Sequence, residues 1–472
     1  MKRKHGLTFG LCVSLLFLNL ASSSSAASQI TGTKCVKAGM FRTAKNVKYQ
    51  CKKSAQGLRW VTISAKSSPT TTSKTTTTST TTTTSTTTTT TSTTTTTQVP
   101  TSPSKSLSGT DVLLPTDQCK IRHSLSDWDG GLVRTGFPRA PDAALPRQEV
   151  VVQVIPVEYP NLRGVKSLSE VLKPLAEGVT DYYLKVSRGR LKFVWRLPEK
   201  VLQMPQPIEF YALGPRNNGF SYVQDVLTAT DSSIDFSGAD FVLVLNPETA
   251  TRDQIYTSPA QQMAKRFKFR TNEGDVFRAT FTSPSTVFST GWAVIVHEFA
   301  HGLGLPDTYD LSGKVDFMGD FDLMSTGVTG AIELTAWNKW QLGFIDDSQV
   351  WCLKTNTNAT LWISHVTAST DRPEMILVPT STTTAIVIEA RRKERFDLNA
   401  RVLSEVTDGI LIYEVNSAFM SGSGPMRAAS IHLLRGTGRL ARDNEQIQVG
   451  KYLISSIERG PWGHVIDVQV VP

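Results

Sequence analysis

His297, Glu298 and His301 are the residues whose types and spacing most directly imply chemistry. A helix turns once in about 3.6 residues, so two histidines four apart leave one face with their imidazoles close enough to share a cation. Glu298 stands beside that cation without being needed as a ligand. From there it can take a proton from a water whose pKa zinc lowers to about 7, and return it to a leaving amine. Gly302 and Gly304 end the helix and turn the chain back. That reversal carries Asp307, six residues after His301, toward a third ligand position and leaves the fourth for water. Tyr309 is a neighbouring donor for an oxyanion, or a tyrosine that simply packs. The bland alternative is a core helix with two satisfied histidines. The apolar run 292–296 does mark the helix as buried, but an unpaired Glu298 there is costly unless a metal or partner compensates it.

Downstream, Asp310, Asp316, Asp320 and Asp322 crowd a glycine-containing loop, which is either a hard-oxygen site for structural Ca2+ or a solvated acidic loop. Residues 321–327 look like a tight methionine turn that sets Met324 as an apolar floor under the ligands. Apolar residues at helical spacing predict a helix over 331–342.

The elements that must position these residues begin with 149–157, an apolar, β-branched run that fits a buried strand. A helix is predicted over 167–187, with Pro174 expected to kink or split it. Strands at 192–197, 240–245 and 277–281 and a helix at 222–229 complete an alternating pattern, which implies an α/β (α+β) sandwich with the zinc cleft beneath a sheet edge. From 349 to 472 the pattern changes to short strands, at 361–364, 375–378, 385–389, 409–415, 430–434, 452–457 and 465–471, which predicts a β-rich C-terminal region.

The first residues set the compartment. Lys2, Arg3 and Lys4 precede the apolar run 11–20 and the small residues Ser25, Ala26 and Ala27, the pattern of a secretory signal peptide over 1–27. The run is well short of the roughly 20 residues a span needs, and no later stretch reaches that length, so no transmembrane segment is expected after cleavage. Cys12 lies in the signal, which leaves Cys35, Cys51, Cys119 and Cys352 for an oxidising compartment. Cys35 with Cys51 is the local pairing and leaves Cys119 for Cys352; in a rival reading Cys119 is a thiolate plugging the zinc of a latent precursor. The formal charge of +9 is unevenly spread: residues 1–28 carry three cations and 29–66 nine, neither with any acid, so the rest stands at −3. A basic face confined to a small module argues against nucleic acid and fits either an anionic cell-wall polymer or a solvated basic surface. Residues 28–67 therefore read as a small basic cysteine-containing module, and 68–107 as a disordered Thr/Ser-rich linker. Residues 108–147 read as an irregular arm or short prosegment, 148–348 as the zinc metallopeptidase domain, and 349–472 as the β-rich region.

The run from His297 to Asp310 resembles the zinc segment of the immune inhibitor A family of secreted bacterial metallopeptidases, through His297, Glu298, His301, Gly304, Leu305, Pro306, Asp307, Tyr309 and Asp310. Similar matches run through 156–160, 182–191, 322–325, 337–343, 388–391 and 408–413, so the resemblance covers about 148–415. It implies a metzincin-like (zincin-like) zinc peptidase with His297 and His301 on the metal and Glu298 as base. Asp307 has the metzincin spacing, while Glu333 could take the third position as in zinc peptidases whose third ligand comes from a second helix. The expected function is a secreted zinc-dependent endopeptidase acting on protein or peptide substrates. Its rivals are a surface-binding protein that keeps the fold and a zinc amidase acting on wall peptides.

Overall fold

Ten residues from Glu149 to Glu158 form the central strand, β4, because an almost unbroken run of valine and isoleucine can be buried on both faces at once. The computed structural model describes residues 41–44, 47–54, 57–62, 102–123, 133–140, 143, 149–213, 219–251, 253–255, 260–262, 268–283, 291–309, 317–325, 330–400, 403, 405–419, 430–434 and 440–472. They divide into two units, 1–94 and 95–472. In the first, β1 (Phe41–Ala44), β2 (Val47–Ser54) and β3 (Gly57–Thr62) make an antiparallel sheet. Cys51 in β2 is buried and disulfide-bonded. Cys35, its expected partner, lies outside the described residues, as does the predicted signal segment.

In the second unit β4 is followed by α1 (Leu168–Val186), β5 (Lys192–Arg196), β6 (Leu202–Gln203), α2 (Phe220–Thr230), β7 (Phe241–Leu245), β8 (Ala260–Gln262), the hairpin β9–β10 (Phe269–Thr271, Gly274–Val276), β11 (Arg278–Thr282) and α3 (Gly291–Gly302). The sheet runs β5-β4-β7-β11-β8, with β6 paired to the end of β4. β5, β4, β7 and β11 are parallel, whereas β8 is antiparallel to β11 at one edge. Alternation separates the layers: Val150, Val152 and Val154 of β4 pack with α1 and α3, and Ile155 and Val157 with Tyr222, Val226 and Leu227 of α2. No described helix is long and apolar enough to cross a membrane.

Pro174 does not split α1 as predicted. The hydrogen bond it removes belongs to the carbonyl of Glu170, in an exposed first turn where water can serve, and a capping box between Ser167 and Glu170 secures that end. Tyr183 of α1 donates its hydroxyl to the Val296 carbonyl at 2.6 Å, fixing α1 against α3.

After α3, the helix predicted over 331–342 begins only at Ala336: α4 spans Ala336–Leu342, with Thr335 as N-cap. Residues 332–335 are not helical, and side chains from elsewhere take the backbone groups of Glu333 and Thr335. The expected C-terminal strands follow, as β12 (Val350–Cys352), β13 (Ala359–Ile363), β14 (Met375–Pro379), β15 (Thr384–Arg392), β16 (Asp408–Asn416), β17 (Ile431–Leu433), β18 (Ile447–Val449), β19 (Tyr452–Gly460) and β20 (Gly463–Val470). They make two sheets, β12-β14-β15-β16-β17 and β13-β20-β19-β18, with Ile376, Ile388, Ile412, Leu361, Ile454 and Ile466 in the core they share. The outer face of the first sheet, with Leu377, Val387 and Tyr413, packs on Trp337 and Trp340 of α4. Cys119 and Cys352 form a disulfide across 233 residues, so Cys119 is not available as a thiolate for the metal.

Candidate metal centre

α3 brings His297 and His301 to one face, their rings 4.7 Å apart and nearly perpendicular, with the two Nε2 atoms 3.1 Å apart. Both side chains are buried. His297 Nδ1 lies 3.0 Å from the Leu323 carbonyl and His301 Nδ1 2.8 Å from the Leu305 carbonyl. A carbonyl only accepts, so each Nδ1 carries the proton and each neutral ring presents a lone pair at Nε2.

The helix stops at Gly302, where a Cβ would run into the Phe241 ring, and Arg278 Nε caps the Gly302 carbonyl at 2.7 Å. Gly304, at φ 109°, reverses the chain in a conformation that favours glycine. The reversal sets the Leu305 carbonyl on His301 and brings Asp307 Oδ1 to 3.2 Å from His297 Nε2 and 3.1 Å from His301 Nε2. Asp307 Oδ1 is buried and accepts no hydrogen bond, because the two nitrogens facing it carry no proton. Three lone-pair atoms thus converge with spacings near the roughly 3.3 Å edge of a tetrahedral site with bonds of about 2.0–2.1 Å. The donor set fits a zinc-type cation. Burial disfavours the charged form of both groups, but a proton taken up by His301 would be held by the Asp307 charge, so the His301 pKa is raised and the Asp307 carboxyl is kept well below the usual carboxylate range.

Glu298 is half-buried beside this group. Tyr309 stacks on His297 at 6.3 Å, and its hydroxyl is pushed up by burial and then by the charges of Asp307 and Glu298, so it stays protonated. Glu333 is fully buried elsewhere, with Oε1 2.7 Å from Lys339 Nζ. Of the four loop aspartates, Asp310 and Asp316 lie outside the described residues. Asp320 and Asp322 are both buried, so neither lies on a solvated acidic loop, and the Asp322 carboxylate is taken up by Thr335, Asn338 and Thr308. Burial pushes its carboxyl up to about 6 against the pull of Arg391.

Residues 238–349 match the catalytic domain of immune inhibitor A peptidase M6. The resemblance read from the sequence is borne out over that segment, which holds α3, Asp307, the turn 322–325 and α4. The M6 match supports a peptidase. No curated protein matches the sequence. Among solved structures, catalytically inactive OgpA from Akkermansia muciniphila, in complex with an O-glycopeptide (glycodrosocin) substrate, is 12% identical over 65% of this chain and 89% of its own, with a TM-score of 0.26.

Outside the M6 segment a second His-Asp-His group joins the two C-terminal sheets. Asp408 Oδ1 lies 2.9 Å from His365 Nε2 and 2.7 Å from His464 Nε2. These are hydrogen-bond lengths; Ser456 Oγ meets His464 Nδ1 at 2.7 Å and Arg392 Nε lies 3.3 Å from Asp408 Oδ2, so the group is satisfied by its own protons. No local spacing predicts it, since Asp408 is 43 and 56 residues from its partners. Burial lowers the His365 pKa more than Asp408 raises it, with Arg392 and His464 adding to the fall. The folded value therefore lies below the unfolded value of about 6.5: the stabilisation is complete above that pH and is lost as pH falls through it toward the folded value. Thermal unfolding should lose stability more steeply between pH 7 and 5 in the wild type than in His365→Gln; parallel profiles would show that His365 gains no proton on unfolding.

Proposed function

We propose that the chain is an exported zinc-dependent endopeptidase, with His297, His301 and Asp307 as ligands and Glu298 as general base. The observation that carries this reading is the convergence of three buried lone-pair atoms within 3.2 Å of one another, with Asp307 Oδ1 lacking any proton donor. Zinc held by these three residues would supply Lewis acidity toward a scissile carbonyl and a water of lowered pKa. Glu298 takes the water proton and delivers it to the leaving amine. The Leu323 and Leu305 carbonyls keep both imidazoles in the tautomer that presents Nε2. Tyr309, held protonated and stacked on His297, would be the donor to an oxyanion.

A peptide substrate also needs a surface that reads extended backbone. β8 is the antiparallel edge strand, lies against α3, and among the described residues pairs with β11 alone. Its other edge suits a substrate strand, with main-chain hydrogen bonds giving affinity without demanding a sequence. The basic residues 29–66 would hold the exported enzyme to an anionic wall polymer.

The test is metal analysis and casein hydrolysis on the full secreted chain, before and after chelation and after zinc is added back. About one zinc per chain, activity reduced to background by the chelator, and recovery with zinc are expected. A folded chain that holds no zinc, or that cleaves equally well after chelation, overturns the reading.

A further inference from the structure

The ligands of this centre hang on a turn that is itself held from below. Leu323 O accepts from His297 Nδ1 at 3.0 Å, so the turn 322–325 fixes one ring. The same turn grips Thr308, the neighbour of Asp307, three times: Thr308 N donates to Met324 O at 2.7 Å, Ser325 Oγ donates to Thr308 O at 3.1 Å, and Thr308 Oγ1 donates to Asp322 Oδ2 at 3.3 Å. One turn therefore places two of the three ligands.

Asp322 joins that turn to the segment leading into α4. Its Oδ1 accepts the Thr335 N–H at 3.4 Å and its Oδ2 accepts Asn338 Nδ2 at 3.0 Å. The segment is in turn held by the C-terminal sheet. Arg391 of β15, fully buried, makes a two-pronged pair with Asp397 at 2.8 and 2.6 Å, and the two grip Glu333 by its carbonyl (3.4 Å to Arg391) and its N–H (3.3 Å to Asp397). Glu389, beside Arg391 at 3.0 Å, takes the Ala336 N–H at 2.7 Å, and Tyr413 takes the Trp337 N–H at 3.3 Å while donating to Glu389. The backbone donors that a helix start leaves without partners are thus met by side chains of β15, β16 and the turn.

We propose that Asp322 is a positioning residue of the metal centre, setting His297 and Asp307 together through the turn 322–325, and that Arg391 of β15 keeps it in register. This rests on the zinc reading above. It makes the C-terminal sheet part of the site: the geometry of two ligands depends on a guanidinium that touches neither. Substitution at either end should loosen the ligands while leaving the three donor groups chemically intact.

Asp322→Asn places an amide where Oδ2 accepts two donors. Thr308→Val removes only the hydroxyl, and Thr308→Ser restores it. Arg391→Lys keeps the charge but cannot make the two-pronged grip. Each full-length variant is compared with wild type for zinc affinity by chelator competition, for the visible spectrum of the cobalt-substituted chain, and for near-UV circular dichroism. Asp322→Asn and Thr308→Val should bind zinc about 10- to 100-fold more weakly with an altered cobalt spectrum. Arg391→Lys should shift both in the same direction, and Thr308→Ser should match wild type. Wild-type affinity and spectrum in folded Thr308→Val and Asp322→Asn would overturn the proposal; should Asp322→Asn fail to fold, Thr308→Val decides alone. Failure of the zinc reading would show separately, as absence of zinc from the wild type.

Discussion

Glu298→Gln should cost about 10²- to 10⁴-fold in casein hydrolysis, the range that a positioned proton-transfer group supplies, while the variant still binds one zinc. The expectation follows from what Glu298 does not do. The converging atoms are His297 Nε2, His301 Nε2 and Asp307 Oδ1, so the proposed ligand group does not draw on it. It is the residue next to His297 on the same helix and is half-buried, its charge felt at Tyr309, which puts a carboxylate on the ligand-bearing stretch of the helix without committing it to the converging group. Glutamine has the same shape and accepts hydrogen bonds, but it takes up no proton at neutral pH. Equal zinc content with lost turnover would thus isolate the proton transfer. Activity within tenfold of wild type would place the base elsewhere, and loss of zinc together with activity would mean that Glu298 helps hold the metal.

The parts of the site that are legible in the sequence are those whose geometry is local. Four residues of helix decide that His297 and His301 share a face, and a glycine-led reversal decides that Asp307 returns to them; neither needs knowledge of the rest of the chain. β4 and β7 were readable because burial on both faces leaves continuous apolar runs, and the C-terminal strands because alternation and turns mark them. What supports the site was not readable. Arg391 lies 58 residues from the Glu333 carbonyl it holds, and Glu389 lies 53 from the Ala336 N–H; in sequence each is an ordinary charged residue of a strand. The late start of α4 has the same cause. Periodicity alone extends the helix back to 331, but Asp397, Arg391 and Asp322 claim the backbone groups of Glu333 and Thr335 and keep them out of the helix. Tertiary hydrogen-bond partners, not propensity, set that boundary.

Asp307→Ala and Glu333→Gln should separate completely, one losing metal and the other losing stability. Asp307 contributes an oxygen with no proton donor, poised 3.1–3.2 Å from both imidazole nitrogens. On the proposed reading its removal takes away a ligand, so zinc affinity should fall by more than the roughly 10- to 100-fold that loss of a supporting partner costs. The metal-free fold should be little affected, because no hydrogen bond to that oxygen is lost. Glu333 is the reverse case. Its carboxylate pairs with Lys339 Nζ at 2.7 Å, both side chains are almost wholly buried, and the ammonium's other contact is the Val366 carbonyl at 2.6 Å. Burial lowers the Lys339 pKa and Glu333 opposes that fall, so neutralising the carboxylate strands a cation in the core. Breaking such a pair costs about 3–5 kcal/mol, enough to lower the melting temperature markedly while zinc binding in the folded fraction stays near wild type. Chelator competition and thermal unfolding on both variants read the two effects apart. If Glu333→Gln instead released zinc from a stable fold and Asp307→Ala kept it, the third ligand would be the carboxylate leading into α4, and the reversal after Gly304 would serve only to end the helix.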